Sequence, residues 1–593
     1  MYTSDQFKPS RNRDLILQGL ILLLFTTIGL RLWYFQIYKG QEYIKKAEAN
    51  ISRRQSLYAP RGLILDSQGH LLAENRPAYG LAIVREDCPD FDTTLGHVSQ
   101  WTGIPASRLH KKLDKDRAKV KPFQPQLLIS HLPFQELALI ESRLLEWPEL
   151  KIVSRPLRTY PQRDMLAHVL GYVALANEEE LRDNPELQLG DNIGKQGIEL
   201  AFDSLLRGTK GLKQLKVDAQ GRELSSSVTS APQPGQDLYL TIDLDLQGFA
   251  FQQLGSQAGS VVVMSPDDGR ILSLVSKPGF DNNLFVRGVE QQKWDALRSH
   301  PRHPLQNRAI QSAYPPGSVF KLLMVGAALE NKVFDLGKTV YCPGVYRLGR
   351  RLFRCWKKYG HGWLDMREAI KQSCDVYFYT LGHEMGVDLI SNYALENGFG
   401  TRTGIELPNE ARGLIPTREW KRRRFGVSWQ GGETINMSIG QGYTLVTPLQ
   451  VARFVSALVN GGHLLKPLLV QSREPVVQKE LGLSETELDF IREAMIATVE
   501  EPHGTAWRLR TQNATIGGKT GTAQVVKLKE EDREKETEEI RYKFRDHAWM
   551  ASFGQVGEQS YVVVVLVEHG GHGSSAAGPV VKAIYDYLVA REG

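Results

Sequence analysis

Pro315-Pro-Gly-Ser-Val-Phe-Lys321 is the stretch on which the reading of this chain turns. Two prolines and a glycine do not continue a helix, so they break the chain just before Ser318. Val319 to Leu329 is apolar helix-forming sequence. Ser318 is therefore expected at a helix N-terminus, with Lys321 one turn on and on the same face. A serine hydroxyl is a poor nucleophile until a base takes its proton. A lysine amine can do this when burial and a nearby cation disfavour its charged form. The helix N-terminus adds free N–H groups and a positive dipole end that favour a developing oxyanion. Alone, Ser318 reads equally well as a simple N-cap.

Two further motifs follow in order, Ser373-Cys-Asp375 and Lys519-Thr-Gly-Thr522. Each is weak alone, since short patterns recur by chance; the ordered trio is strong. Gly517 and Gly518, just before Lys519, suit a strand that a ligand approaches closely. Lys519 can hold a carboxylate and disfavour a charged Lys321, and the hydroxyls of Thr520 and Thr522 can bind the same carboxylate. A phosphate-binding loop would need glycine at position 513, where the chain has Asn513.

Around this centre the 593 residues suggest three or four folding units. Charged residues are 24% and hydrophobic residues 41%, as in ordinary globular proteins. A net charge of +6 is small for this length and argues against a dedicated nucleic-acid binder. Leu15 to Tyr38 is long and apolar enough to span a membrane if Arg31 snorkels, and Trp33 and Tyr34 suit the interface. A cleaved signal would need small residues where bulky aromatics stand, so an uncleaved anchor is expected. Basic residues flank the span on both sides, which leaves the charge rule for orientation ambiguous. Tyr561 to Val567 is too short to cross and reads as a buried strand.

Ile64-Leu65 and Leu71-Leu72, separated by a turn at Gly69, read as a hairpin. Residues 105–150 look mixed and helical. Ala231-Pro-Gln-Pro-Gly235 reads as a linker, followed by a strand over Leu238–Ile242. Further strands are expected at Ser260–Met264 and Ile271–Val275, and a helix at Leu322–Leu329. The charged stretch Lys527–Arg541 reads as a solvated loop or short exposed helix. The boundaries are thus a tail at 1–14, an anchor at 15–38, a non-catalytic domain at 39–235 and a catalytic domain at 236–593.

The trio is the one found in serine β-lactamases and penicillin-binding proteins. The chain also carries Pro60-Arg-Gly62 with Asn75-Arg-Pro77, Gly194-Lys-Gln-Gly-Ile-Glu199, Gly432-Glu-Thr-Ile-Asn-Met-Ser-Ile-Gly-Gln-Gly442, Thr447-Pro-Leu-Gln450 and Val567-Glu-His-Gly-Gly571. On these segments it resembles the class B penicillin-binding proteins of the elongation type, from the anchor to near the C-terminus. The resemblance implies an anchor helix, an elongated β-rich pedestal of the dimerisation type, and an α+β transpeptidase domain with a five-stranded antiparallel sheet flanked by helices. It implies a single-pass protein of the bacterial inner membrane whose catalytic domain lies outside. It also implies Ser318 as nucleophile, Lys321 as base, Ser373 as proton relay, and an oxyanion hole from the backbone of Ser318 and Thr522. Asp375 and Lys519 complete the catalytic set, and Thr520, Gly521 and Thr522 line the substrate. The implied substrates are peptidoglycan stem peptides, with β-lactams as trapping mimics. The implied partners are a glycan polymerase of the SEDS family and a shape-determining scaffold. Most of the superfamily carries Asn where this chain has Asp375, which leaves that residue's hydrogen-bonding role open.

Three of four cysteines and a histidine are spaced Cys342-x12-Cys355-x5-His361-x12-Cys374. Three thiols and an imidazole can complete a tetrahedral zinc site. A disulfide, in an oxidising compartment, or buried free thiols are the alternatives. No role is assigned to Cys88. Rival functions are a β-lactamase or D,D-carboxypeptidase, a division-type transpeptidase, and an inactive scaffold or β-lactam sensor.

Overall fold

Runs of β-branched residues build the centre of the larger unit. A computed structural model describes residues 11–116, 120, 122–218, 223–471, 474–526 and 539–592. Most of the tail at 1–14 and of the charged stretch at 527–541 lies outside the described residues. Five strands pair antiparallel throughout: β1 (Gly259–Met264), β2 (Ile271–Lys277), β3 (Thr515–Ala523), β4 (His547–Val556) and β5 (Gln559–Val567). Their order in space is β2-β1-β5-β4-β3, which leaves β3 on an edge. This is the expected five-stranded sheet.

β5 shows why the sequence reads as an unbroken apolar run. Val562, Val564 and Leu566 enter one core, and Val563, Val565 and Val567 enter a second. A strand buried on both faces has no polar face to alternate with. The first core includes α1 (Lys321–Glu330), α3 (Asp375–Glu396) and α4 (Pro448–Val459), between which falls the short α2 (Met366–Lys371). The second is closed by Leu244–Gln253 and the C-terminal α6 (Gly578–Glu592). α5 (Glu485–Glu500) lies against β3. α4 opens on a capping box in which Thr447 and Gln450 satisfy each other's backbone N–H groups.

The chain forms two compact units: residues 1–60, 78–155 and 208–234, and residues 61–77, 156–207 and 235–593. In the first, Ser52–Leu57, Gly211–Val217 and Glu223–Ser230 form an antiparallel sheet. Its apolar core gathers Leu81, Ile83, Leu95, Val98, Leu128 and Ile140, with Cys88 packed at the margin. In the second unit, Glu199 is wholly buried between two guanidinium groups, 2.6 Å from Arg61 Nε and 2.6 Å from Arg158 Nε. A Cβ on Gly62 would fall 1.9 Å from Gln236 O, so that position admits only glycine. These motif residues thus serve packing. Ile64–Leu65 pairs with the strand Leu71–Ile83 as the expected hairpin. The strand expected over Leu238–Ile242 extends only over Leu238–Tyr239, because Thr241 turns its N–H to Leu469 O.

Arg11–Trp33 is an α-helix that continues through a π-helical turn at Tyr34–Tyr38. Asn12–Tyr38 is 27 residues long, apolar and exposed, sufficient to cross a membrane.

Candidate active site

The turn before Ser318 is shaped to close on the edge of the sheet. Gly317 has φ +55°, and a Cβ there would fall 2.6 Å from Thr522 O on β3. Only glycine lets the turn come that close. The turn is tied down by the Trp549 indole, which donates to Pro315 O at 3.0 Å, and by Gly317 N–H, which donates to Gly440 O at 3.0 Å. Gln441 Nε2 donates to Thr522 O at 3.1 Å. Ser318 sits half-buried in a 3-10 turn over Gly317–Phe320, and α1 proper begins at Lys321.

Lys321 is fully buried, and its amine joins the first motif to the second. Nζ donates to Asp375 Oδ1 at 2.7 Å, to Ser373 O at 2.9 Å and to Ser373 Oγ at 3.1 Å. Asp375 opens α3, and its other oxygen accepts the backbone N–H of Trp356 at 2.9 Å. The Trp356 indole N–H donates to Ser373 O at 3.1 Å. Ser373 itself is buried with φ +53°, a left-handed conformation rare outside glycine and typical of functional sites. Asp375 is thus a two-sided acceptor, which answers the question its identity raised. Trp356 carried no motif signal.

Lys519 is also fully buried. Burial, and then the charge of Lys321, hold its amine well below the ordinary lysine range, with Asp375 pulling the other way. Along β3, Lys519, Gly521 and Ala523 are buried while Thr520 and Thr522 are partly open, as strand alternation requires. Gly521 leaves room for the nucleophile turn, since a Cβ would lie 3.0 Å from Pro316 O and 3.0 Å from Val319 Cγ2. Gly517 and Gly518 correct the sequence reading. Their missing side chains make room for the Phe553 ring and Met550 Cε of β4, at 2.3 and 2.5 Å from the built Cβ positions, and not for a ligand.

Sequence reasoning also missed Thr505. The Thr520 hydroxyl donates to Thr505 Oγ1 at 2.9 Å, which leaves the Thr505 hydroxyl proton free to donate onward. Thr505 N–H donates to Lys371 O at 3.2 Å, just ahead of Ser373. Glu501, in the same loop, accepts from Lys371 Nζ at 2.9 Å and also pairs with Arg367. One loop therefore bridges α2 and β3.

Cys342, Cys355, His361 and Cys374 converge, with their ligand atoms all within 4.8 Å of one another. His361 Nδ1 lies 3.6 Å from the sulfurs of both Cys342 and Cys355. All three thiols are buried and unbridged, so the disulfide alternative is not realised. Cys355 is shifted towards thiolate by its hydrogen bond with Cys374, which is shifted the opposite way.

Two family models match. The penicillin-binding protein transpeptidase domain covers residues 259–586, and the penicillin-binding protein dimerisation domain covers 56–240. The peptidoglycan D,D-transpeptidase MrdA of Acinetobacter baumannii is 34% identical over 97% of this chain and 87% of its own length. Among solved structures, penicillin-binding protein 2 of Helicobacter pylori in complex with MreC superposes with a TM-score of 0.81 at 30% identity, over 91% of this chain and 99% of that one. A chain from a peptidoglycan synthase complex that coordinates polymerization and crosslinking matches with a TM-score of 0.72 at 29% identity, over 98% of this chain and 99% of that one. With the ordered trio meeting around one buried lysine, the chain belongs to the class B penicillin-binding proteins, in the penicillin-binding protein 2 branch of peptidoglycan D,D-transpeptidases.

Proposed function

We propose that Ser318 Oγ attacks the carbonyl between the two terminal D-alanines of a donor stem peptide, and that Lys321 receives its proton. The observation that carries this reading is the engagement of Lys321 Nζ by Asp375 and by both oxygens of Ser373. Asp375 Oδ1 accepts from that amine at 2.7 Å and so fixes it beside Ser373. The Ser373 hydroxyl, 3.1 Å from Nζ, is placed to carry the proton on to the departing D-alanine nitrogen. Backbone N–H groups of Ser318 and Thr522 stabilise the oxyanion, and Lys519, Thr520, Gly521 and Thr522 hold the donor's terminal carboxylate. An acceptor amine then attacks the ester, the new amide forms the cross-link, and Ser318 regains its proton. β-Lactams acylate the same oxygen.

Zinc is the proposed occupant of Cys342, Cys355, His361 and Cys374. Zinc–sulfur and zinc–nitrogen bonds of about 2.3 and 2.0 Å at a tetrahedral angle place S and N about 3.5 Å apart. The two 3.6 Å separations fit that geometry. Bound there, the ion would tie the segment after the nucleophile helix to Cys374, between Ser373 and Asp375. One equivalent of zinc by mass spectrometry, lost in Cys355→Ser, is expected; protein free of zinc yet fully active would remove this assignment.

The reading places 15–38 as the anchor after a cytoplasmic tail at 1–14. It places 39–235 as the pedestal and 236–593 as the transpeptidase domain outside the inner membrane. The apolar helix at Asn12–Tyr38 and the two matched family segments support it. A glycan polymerase of the SEDS family and a scaffold such as the MreC bound by the Helicobacter pylori relative are the proposed partners. The test is a donor pentapeptide supplied with an acceptor amine. Amide product that disappears in Ser318→Ala supports transfer; release of D-alanine by hydrolysis alone would overturn it.

A further inference from the structure

Between the nucleophile helix and the second motif, residues 341–364 form a lobe with unusual chemistry. It contains six basic residues, Arg347, Arg350, Arg351, Arg354, Lys357 and Lys358, and no Asp or Glu. All six are exposed. The frame is two small antiparallel ribbons, Val340–Cys342 with Gly362–Leu364 and Val345–Leu348 with Arg351–Arg354. At its base the ligand atoms of Cys342, Cys355 and His361 gather within 4.8 Å of one another and of Cys374 Sγ in the second motif.

The lobe also exposes aromatic rings where a soluble surface usually hides them. Tyr359 is 90% exposed, Trp363 71% and Trp356 61%. Tyr341 stands beside Trp363, ring centroids 5.5 Å apart. The lobe adjoins the catalytic centre, since Trp356 holds Asp375 and Ser373 through its two N–H groups. Exposed apolar rings interleaved with cations mark a binding surface. Flat rings present apolar faces on which a sugar ring can stack, and guanidinium groups pair with carboxylates.

We propose that this lobe docks the glycan strand whose stem peptides are being joined, the rings taking the sugars and the basic side chains taking the stem-peptide carboxylates. The inference rests on the transpeptidase reading and deepens it. An anionic lipid surface shares the charge chemistry. The strand is favoured because the lobe's own Trp356 reaches Ser373 and Asp375, so whatever it holds is held beside the reacting carbonyl.

The experiment uses the full chain in nanodiscs of neutral lipid. Its probes are fluorescent uncross-linked glycan strands bearing stem peptides, and neutral strands of N-acetylglucosamine that carry no carboxylate. One variant combines Arg347→Gln, Arg350→Gln and Lys357→Gln; a second combines Tyr359→Ser and Trp363→Ser. The charge variant is expected to bind stem-bearing strands about ten-fold more weakly and to lose most of the salt dependence, while the neutral strands bind it as they bind the wild type. The aromatic variant is expected to weaken both strands. Fluorescent penicillin should acylate Ser318 equally in all three proteins. If penicillin fails to label even the wild type, the transpeptidase reading fails independently of the lobe. Unchanged strand binding in both variants overturns the proposal. So does a charge variant that loses affinity only for vesicles of anionic lipid, which would assign the lobe to the membrane surface.

Discussion

Asp375→Asn removes one charge and keeps the shape, and the geometry around it sets the cost. Asp375 accepts from two donors on opposite sides, Lys321 Nζ at 2.7 Å and Trp356 N–H at 2.9 Å. An amide has one acceptor oxygen, so in either flip its NH2 group faces a donor. A hydrogen bond to a charged group is worth about 1.5–3 kcal/mol, which is about 10- to 150-fold in rate if the transition state feels all of it. The residue is nearly buried, and the amine it faces is wholly so. Leaving Lys321 without its carboxylate therefore also lowers stability, with about 3 kcal/mol as the scale for breaking a buried pair. The assay is the second-order rate of acylation by a fluorescent penicillin, with thermal melting in parallel. Acylation slowed at least about ten-fold, with a lower melting temperature, is the expected result. A rate within about twofold of wild type and an unchanged melt would refute the reasoning, since Asn would then satisfy both donors.

Thr505→Val should weaken acylation by carboxylate-bearing penicillins about ten-fold and spare their methyl esters, while Thr505→Ser restores the rate; equal losses on both substrates would mean a packing role only. Acid should destabilise the catalytic unit between pH 6.5 and 4. Burial pushes His168 and His547 down to about 4, so the unfolded chain binds more protons in that window and stability falls as pH falls through it, by about 3 kcal/mol for each. Asp546, pushed up to about 6 by burial, acts in the opposite sense and offsets about one of the two. Denaturation curves should therefore show a net loss, steeper in Asp546→Asn, and a flat profile in both proteins would contradict the assignment.

The sheet was legible because a strand buried on both faces must be apolar throughout, as Tyr561–Val567 is. The trio was legible because the chemistry needs those residue types, and the breaks at Pro315-Pro316-Gly317 announced the helix that carries the nucleophile. Other parts depend on tertiary neighbours that leave no local mark. Gly517 and Gly518 signalled a close approach, but not that the approaching atoms belong to Phe553 and Met550. The role of Asp375 depends on a backbone N–H of Trp356, which any residue but proline could supply at that position. Thr505 meets Thr520 only because α5 and its loop fold back along β3. The paired motifs around Arg61 and Glu199 were visible as sequence, yet their purpose shows only once Glu199 is seen buried between two arginines.

The central claim is that Ser318 is the nucleophile served by Lys321, and intact mass spectrometry of the full chain after exposure to penicillin tests it most directly. The account predicts a single covalent adduct that maps to the peptide containing Ser318 and vanishes in Ser318→Ala. In Lys321→Ala the adduct should form orders of magnitude more slowly, at about the 10²- to 10⁴-fold cost of losing a general base. An adduct that persists in Ser318→Ala, or that forms at the wild-type rate without Lys321, would contradict it.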